Sequence, residues 1–378
     1  MEKNDIYVIY GKDIAAMSIR LAEEANLAAL IGDRCKRIGL KPNLVTAKPA
    51  SSGATTHPEI AAGLIVYLKK NGFNNLAILE GSWTGGSTAQ AFNVCGYRKL
   101  ADETGIELID TKRGKTKTCD CNGMKLEICE SALSLDFMIN LPVMKGHCQT
   151  RLTCALKNNK GLIPDREKSR YHTLGLTKPI AHLNTVARND FIVVDGICGD
   201  PDFELGGNPL YRGLLFAARD PVLCDAWAAS LMGYSLDVIP YIGLAEKLEI
   251  GSADIRSAKV RKLNNADIQL SAVSASVGKV RQLAPYIAED NACSVCYASL
   301  IFALSRMNLD QLDRLKEKIC VGQGFQGKHG NLGIGQCCAG FKMFCSGCPP
   351  SGADVLHFLS GSCDIVNSSL LFQNDAAH

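Results

Sequence analysis

The stretch at residues 141–161, LPVMKGHCQTRLTCALKNNKG, decides how this 378-residue chain is interpreted. It follows an apolar run at residues 137–140, which has the length of a buried strand. Because Pro142 cannot donate to a sheet ladder, we expect the strand to end there. Apolar side chains recur at helical spacing over residues 150–158. The stretch therefore predicts a strand, a polar loop and a short helix in succession.

Strand-like and helix-like runs alternate on both sides of this stretch. Residues 6–10, 37–41 and 75–81 are predicted strands, and a helix at residues 58–70 begins with proline. Residues 112–127 favour a hairpin, and residues 191–196 form the clearest buried strand. Such alternation predicts an α/β fold, with a mostly parallel sheet flanked by helices. We expect this domain to occupy residues 1–285 and a small cysteine-rich region to occupy residues 286–378.

Composition excludes several classes of protein. Apolar residues make up 47% of the chain and charged residues 21%, as in a well-cored globular protein. The net charge of +3 without a basic run argues against nucleic acid as a partner. The charged amino-terminal stretch is unlike a signal peptide, and no apolar window has the roughly 18 residues that a membrane span needs. We therefore expect a cytoplasmic protein that binds no membrane.

Polar side chains cluster where the predicted strands end. Ligands of open α/β sheets bind in the crevice beyond the carboxyl ends of the strands, here called the carboxyl edge. Lysines beside hydroxyls and amides favour a small anionic molecule there, and a histidine can transfer protons. The candidate catalytic residues are Lys145, His147, Lys157 and His172. The candidate substrate-binding residues are Lys41, Asn43, Thr55, Thr56, Asn158, Lys160, Asp195, Asp220 and Asp225.

Each of these candidates has a plainer structural interpretation. Lys41 and Lys160 can be ordinary surface lysines. Asp195 precedes a glycine and can close a turn. Glu80, at the end of its strand, is a weaker candidate, and we interpret His182 as structural.

The seventeen cysteines are concentrated at the carboxyl-terminal end, where eight fall after residue 292. Cytoplasmic thiols stay reduced, and an odd number argues against a disulfide framework, so metal or redox chemistry is favoured. We predict a [4Fe–4S] cluster bound by Cys293, Cys296, Cys337 and Cys348, with Cys338 and Cys345 as rival ligands. Cys348 precedes proline, as the last ligand of a cubane cluster often does. Zinc and plain buried thiols are the alternatives.

Several motifs resemble a known family. IGLKPNLVT, ATTHPE, LAILEG, the KGH … LKNNKG block, IVVDGICG and RDPVLCDAWAASLMGY are together similar to domain-of-unknown-function family 362, over about residues 5–250. Many members of that family carry a cysteine-rich cluster region. GQCC … CSGCPP resembles instead the proximal-cluster subunit of NADH:quinone oxidoreductases and hydrogenases, in which a cysteine pair and a GCPP cysteine contribute to one tetranuclear cluster.

Three functions remain open at this point. The first is a redox enzyme in which the cluster passes electrons to a small anion at the carboxyl edge. A redox partner such as ferredoxin would supply these electrons. The second is an electron-transfer or cluster-carrier protein without catalysis of its own. The third is a non-redox enzyme with a structural zinc. No Gly-x-Gly-x-x-Gly follows the first strand and no Walker motif is present, so the sequence does not indicate a nucleotide cofactor.

Overall fold

The computed structural model of the chain describes residues 1–264, 278–315 and 317–371. The chain divides into two compact units, Met1–Val273 and Ser274–His378.

A large mixed sheet forms the centre of the first unit. The strands of this unit are β1 (Asp5–Tyr10), β2 (Ile38–Pro42), β3 (Leu76–Glu80), β4 (Glu107–Asp110), β5 (Thr116–Cys121), β6 (Met124–Cys129), β7 (Phe137–Leu141), β8 (Lys145–His147), β9 (Arg151–Thr153), β10 (Phe191–Gly199), β11 (Leu210–Ala218) and β12 (Lys259–Lys262). Within the described residues, eight of them pair in the order β12-β1-β11-β10-β7-β2-β3-β4. All neighbours are parallel except β11, which is antiparallel to both β1 and β10. The predicted fold class, a mostly parallel sheet flanked by helices, is confirmed.

Helices cover both faces of this sheet. They are α1 (Ile14–Glu24), α2 (Leu27–Ile31), α3 (Pro58–Lys70), α4 (Thr88–Val94), α5 (Tyr97–Thr104), α6 (Glu130–Leu133), α7 (Ala155–Asn158), α8 (Asp165–Leu174), α9 (Thr177–Leu183), α10 (Pro221–Leu231) and α11 (Pro240–Lys247). Side chains alternate between the faces of a strand, so Val193 of β10 packs with α1 to α5, whereas Val194 packs with α6 to α11. The first unit thus has two apolar cores, one on each face of the sheet.

The reversed direction of β11 corrects one of the predicted site residues. The segment between β10 and β11 is a short irregular connection, and the chain turns back without a helical crossover. β11 therefore ends at the edge where the parallel strands begin, and Asp220 follows it there. Its carboxylate caps α10 by accepting from the backbone N–H groups of Val222 and Leu223. Asp220 is a helix cap at the opposite edge of the sheet and does not belong to the carboxyl edge.

Two hairpins stand outside the large sheet. The hairpin predicted for residues 112–127 is present as β5 and β6, which pair antiparallel. The helix predicted for residues 150–158 was wrong in its first half, because β9 pairs antiparallel with β8 before α7 begins at Ala155. Arg151 has a φ of +64°, a left-handed conformation that a regular helix does not contain.

The second unit contains a ladder of very short strands. Its strands, β13 (Ile287–Glu289), β14 (Ile319–Val321), β15 (Leu332–Ile334) and β16 (Met343–Cys345), pair in chain order and are all parallel. Its helices are α12 (Gly278–Leu283), α13 (Ser294–Leu304), α14 (Leu309–Asp313) and α15 (Gly352–Leu371). β14 and β15 are each followed by Gly-Gln and a single turn of 3-10 helix. The ends of the parallel strands, and the turns that follow them, therefore lie along one edge of the ladder. In the part of the chain that the structure describes, no helix combines the length and apolar character needed to cross a membrane.

Candidate functional site

The first cluster at the carboxyl edge of the large sheet is a closed ion pair. Lys41, at the end of β2, places its Nζ 2.8 Å from the Glu80 carboxylate at the end of β3, and both side chains are buried. The same ammonium donates to the carbonyl of Pro42. Burial lowers the pKa of Lys41, and the charge of Glu80 opposes this shift. Lys41 is therefore neither a surface lysine nor an open anion ligand, because its charge is already neutralised by a carboxylate.

A network of amides lies beside this pair. The Asn43 side chain donates to Oδ1 of Asn158 at 3.0 Å, and Asn158 donates in turn to Oδ1 of Asn140 at 2.7 Å. The hydroxyl of Thr56 donates to the carbonyl of Leu141 and accepts from the Asn43 backbone. These bonds fix the ends of β2 and β7 to α7 and to the loop before α3. Asn43, Thr56 and Asn158 act chiefly by holding the edge together. Thr55, which donates to the carbonyl of Lys48, does the same for the loop.

Lys145 is, like Lys41, a fully buried cation of the site. Its ammonium donates to the side-chain oxygen of Asn43 at 3.1 Å and to the carbonyls of Ala54 and Glu204. Burial lowers the pKa of Lys145 to about 7, the charge of Glu204 opposes the shift, and the nearby Lys157 adds to it. At neutral pH this amine can therefore exist in both its charged and its neutral form, as a proton-transfer group requires.

The Glu204 carboxylate joins two further candidates. One of its oxygens lies 2.8 Å from Lys157 Nζ, and the other lies 3.0 Å from His147 Nε2. His147 Nδ1 accepts from the backbone N–H groups of Gln149 and Thr150, so the ring is neutral and carries its proton on Nε2. Burial and the charge of Lys157 lower the pKa of His147 to about 4, although Glu204 opposes them. His147 is thus a hydrogen-bond donor toward Glu204 at neutral pH.

His172 belongs to the same cluster of charges. Burial lowers its pKa to about 3, Lys160 adds to the shift, and Glu204 opposes it. Within the described residues its buried Nδ1 has no hydrogen-bond partner. Lys160 Nζ lies 5.9 Å from the centroid of the Tyr171 ring, which precedes His172 in α8. The hairpin β8–β9, α7 and α8 together bring His147, Lys157, Lys160 and His172, all from one short stretch of the sequence, to one site.

The site includes acidic and basic residues that sequence analysis did not single out. Glu204 lies in the Gly-, Pro- and Asp-rich connection between β10 and β11, where nothing distinguished it from its acidic neighbours. Lys168 of α8 donates to the carbonyls of Gly81 and Ser82 at the end of β3. In the sequence, only the position of Glu204 between two predicted strands could have indicated that it belongs to the site. That position identifies the carboxyl edge only when the direction of β11 is known.

Asp195 is paired with His57, a further histidine that the sequence analysis did not single out. Its Oδ2 lies 2.8 Å from His57 Nδ1 and accepts from the His57 backbone N–H as well. Its other oxygen accepts from the backbone of Ile197, as expected of an aspartate that closes a turn. Burial by itself lowers the pKa of His57, but the Asp195 carboxylate outweighs this effect and raises the pKa to about 10. Asp195 and a charged His57 therefore form a buried ion pair at the start of α3.

Asp225 holds the start of α7 in place. Its carboxylate accepts from the backbone N–H groups of Ala155 and Leu156, the first residues of α7. Ligand atoms of Cys154, Cys224 and Asp225 lie within 4.8 Å of one another, and all three residues are buried. Burial raises the pKa of Asp225 to about 7. This aspartate orients the helix that carries Lys157 and Asn158, and so it helps to position these two side chains.

The second unit brings the four predicted cluster ligands together. Burial, followed by the charges of Cys293 and Cys348 and then of Cys337, raises the pKa of Cys296 to about 12. Burial and the charge of Cys293 likewise raise the pKa of Cys337, and Cys348 adds to the shift. These thiols therefore lie near one another. They follow β13, β15 and β16 at one edge of the ladder, with Cys296 in the first turn of α13.

The two rival ligands, Cys338 and Cys345, are both buried. Cys338 is fully buried and its thiol donates to the carbonyl of Cys320. The Cys345 thiol is also buried, and the charge of Asp354 adds to the burial that raises its pKa.

The four sulfurs are donors that either zinc or an iron–sulfur cluster takes. A zinc ion holds thiolate sulfurs at about 2.3 Å, which places tetrahedral sulfurs roughly 3.8 Å apart. Among the described residues, no three of these four sulfurs lie within 4.8 Å of one another. Thiolates are also the ligands of multinuclear iron–sulfur clusters. Side-chain amides face two of them, since Gln323 donates to Cys293 Sγ at 3.4 Å and Gln326 donates to Cys337 Sγ at 3.7 Å.

Comparison with known proteins gave three findings. A family model described as Domain of unknown function (DUF362) matches residues 38–230. The thylakoid-associated protein sll1697 of Synechocystis sp. (strain ATCC 27184 / PCC 6803 / Kazusa) is 25% identical over 219 residues, which are 56% of this chain and 68% of that protein. A lactate racemase apoprotein from Thermoanaerobacterium thermosaccharolyticum matches with a TM-score of 0.37 and 15% identity, over 56% of this chain and 54% of the racemase. The chain thus spans about half the length of the racemase, and a likeness this weak carries no inference about chemistry.

Proposed function

The chain belongs to the DUF362 family, and from that premise we propose that it is an iron–sulfur oxidoreductase acting on a small anionic substrate. In this proposal the second unit holds a [4Fe–4S] cluster, and the substrate binds at the carboxyl edge of the large sheet in the first unit. The observation that carries the proposal is the group formed by Cys293, Cys296, Cys337 and Cys348 at one edge of the ladder, in which the charges of Cys293 and Cys348 help to raise the pKa of both Cys296 and Cys337.

The ligand set is supported by its donor chemistry. Four thiols in one group are the donors that a tetranuclear cluster takes. Such a cluster supplies single electrons. The raised pKa of Cys296 means that this thiol is protonated without metal, so its binding to a cluster must release a proton. Gly335, with a φ of +87°, approaches the Cys296 sulfur without a side chain between them.

The substrate class is supported by the group that already occupies the first unit's site. Glu204 presents a carboxylate to Lys157 and His147, and its backbone carbonyl to Lys145. A carboxylate of a small molecule can replace that of Glu204 with the same partners. Lys157 then binds the anion, His147 donates through Nε2, and Lys145 exchanges a proton near neutral pH.

The test of the cluster is anaerobic purification followed by iron and sulfide analysis and EPR of the reduced protein. We expect about four irons per chain and loss or lability of the cluster in Cys348→Ser. Cys338→Ser is the matched control, because its thiol is directed to the carbonyl of Cys320 and should leave the iron content unchanged. Full iron retention in Cys348→Ser, or zinc in place of iron, contradicts the proposal.

The test of catalysis is turnover of small carboxylates with a reduced viologen as donor. We expect Lys157→Met and His147→Ala to lose turnover while they keep their iron. A loaded protein that exchanges electrons with a ferredoxin-like partner but turns over no carboxylate would favour the carrier function instead. The proposal also places the protein in the reducing cytoplasm. It assigns neither nucleic acid nor a membrane as a partner.

A further inference from the structure

Among the described residues of the first unit, Arg212 is unusual because its guanidinium is buried and both of its Nη atoms lack a hydrogen-bond partner. It lies in β11 and is only 7% exposed. In the part of the chain that the structure describes, both Nη atoms are buried and neither has a hydrogen-bond partner. Buried arginines are ordinarily paired, because a guanidinium offers five N–H donors and cannot be neutralised in a protein.

The surroundings of Arg212 do not compensate its charge. Burial lowers the pKa of Arg212, and no neighbouring carboxylate opposes the shift. By contrast, two other enclosed cations of this unit have acidic partners, with Lys41 beside Glu80 and Lys157 beside Glu204, and Lys145 is satisfied by an amide oxygen and two backbone carbonyls. An unpaired buried charge is strongly destabilising, so the folded protein bears a cost at this position that an anion would remove.

The position of Arg212 directs it to the carboxyl edge. β11 runs opposite to its neighbours, so its first residues lie where the parallel strands end, and Leu210 pairs with Gly199 at the end of β10. Just beyond Arg212, the carbonyl of Gly213 accepts from the backbone of Gly11, which follows β1. Arg212 therefore lies at the edge that also holds Glu204, and the same β10–β11 connection leads to both residues.

We propose that Arg212 is a further anion-binding residue, which takes a carboxylate or phosphate group of the ligand through parallel N–H···O bonds from its two Nη atoms. The planar fork of a guanidinium matches such oxyanions in a bidentate manner. The inference rests on the proposed function in placing the ligand at this edge, and it is independent of the cluster in the second unit.

The experiment is thermal unfolding of the full chain, followed by tryptophan fluorescence, with and without sodium phosphate or sodium oxalate. Sodium chloride at equal ionic strength is the reference. Both tryptophans, Trp83 and Trp227, lie in the first unit, so the signal reports on that unit. Without anion, we expect Arg212→Met to unfold about 2–4 °C higher than the natural protein, because the unpaired charge is gone. At least one of the anions should raise the midpoint of the natural protein but not that of Arg212→Met.

Two further variants sharpen the result. Arg98→Met, at an exposed arginine of α5, should match the natural protein in both respects. Arg212→Lys keeps the charge without the fork, and it should lose most of the anion-induced shift even if Arg212→Met folds poorly. A lower midpoint in Arg212→Met with an undiminished anion shift would show a structural arginine and overturn the inference. No shift in the natural protein with either anion would overturn it as well. A shift that is abolished by Lys157→Met but kept in Arg212→Met would overturn this inference and leave the proposed substrate site intact.

Discussion

Replacement of Asp195 by asparagine should remove the pH dependence that the His57–Asp195 pair gives to the first unit. The two side chains are 13% and 0% exposed, and the pair is 2.8 Å long. The pKa of His57 is raised from 6.5 to about 10 in the folded protein, which corresponds to about 5 kcal/mol for the full shift. The folded pKa is above the unfolded one, so this stabilisation is fully present below pH 6.5 and is lost as pH rises through 10.

The magnitude follows from linkage. Between these two pKa values the folded protein holds one proton more than the unfolded chain, and its stability falls by up to about 1.4 kcal/mol per pH unit. From pH 7 to pH 9 the natural protein should therefore lose about 2–3 kcal/mol through this pair. Asp195→Asn should be destabilised at pH 7 by about 3–5 kcal/mol, as expected when a buried pair is broken, and should lack this component of the pH slope.

The assay is urea unfolding at pH 7, 8 and 9, followed by tryptophan fluorescence of the first unit. Asp254→Asn is the control, because Asp254 pairs with Arg256 at the exposed surface and its removal should leave the pH slope unchanged. If Asp195→Asn and the natural protein lose stability in parallel from pH 7 to pH 9, then His57 is not charged in the folded state and the assigned pair is wrong.

Three further predictions concern other positions. Gly161→Ala should destabilise the first unit by about 1–3 kcal/mol in urea unfolding, because an added Cβ would lie 1.9 Å from a Glu80 oxygen; Gly114→Ala, with open space around it, should not. Gln323→Leu should lower the reduction potential of the cluster in an EPR-monitored redox titration with unchanged iron content, because it removes a donor to a ligand sulfur. Asp225→Asn should remove the loss of stability that the natural protein shows as pH rises from about 4 to 7, since burial raises the folded pKa of Asp225 from 3.8 to about 7; an unchanged slope in that window would contradict the assignment.

Local patterns were sufficient to predict the elements that are determined by local chemistry. The helix with proline at its first position is observed as α3 with the predicted limits, and the run FIVVDG forms the buried core of β10. The hairpin β5–β6 was likewise visible in the alternation of charged and apolar residues. In each case neighbouring residues in the chain decide the conformation, so a sequence window contains the information.

Partners that are distant in sequence were not predictable in the same way. The direction of β11 depends on its pairing with β1, some two hundred residues earlier, and a strand pattern is the same in both directions. Asp220 was consequently assigned to the wrong edge. Glu204 and His57 were missed because an acidic residue in a polar loop and a histidine before a helix are common. Their roles exist only through His147, Lys157 and Asp195, which other segments supply.

The cysteine-rich end lies between these cases. The spacing of Cys293 and Cys296 and the proline after Cys348 predicted these residues as ligands from local pattern alone. The choice of Cys337 over Cys338 was less certain in principle, since two adjacent thiols in a sequence are equivalent until the backbone is known. The 3-10 turn over Gln336–Cys338 separates them, turning Cys338 into the interior and Cys337 toward the other thiols.

The pairing of β1 also has a consequence for how the protein is made. β1 is synthesised some two hundred residues before β11, yet within the described residues its sheet neighbours are β11 and β12, from the other end of the unit. At synthesis rates of about 5–20 residues per second, the strand waits roughly 10–40 s for β11 to emerge. During that interval its apolar run IYVIY is a β-prone segment without a partner strand. The charged residues of the preceding MEKND oppose aggregation of this run. β1 is therefore among the last strands to be incorporated into the sheet of the first unit, and nascent chains that stop short of β11 should depend most on chaperones.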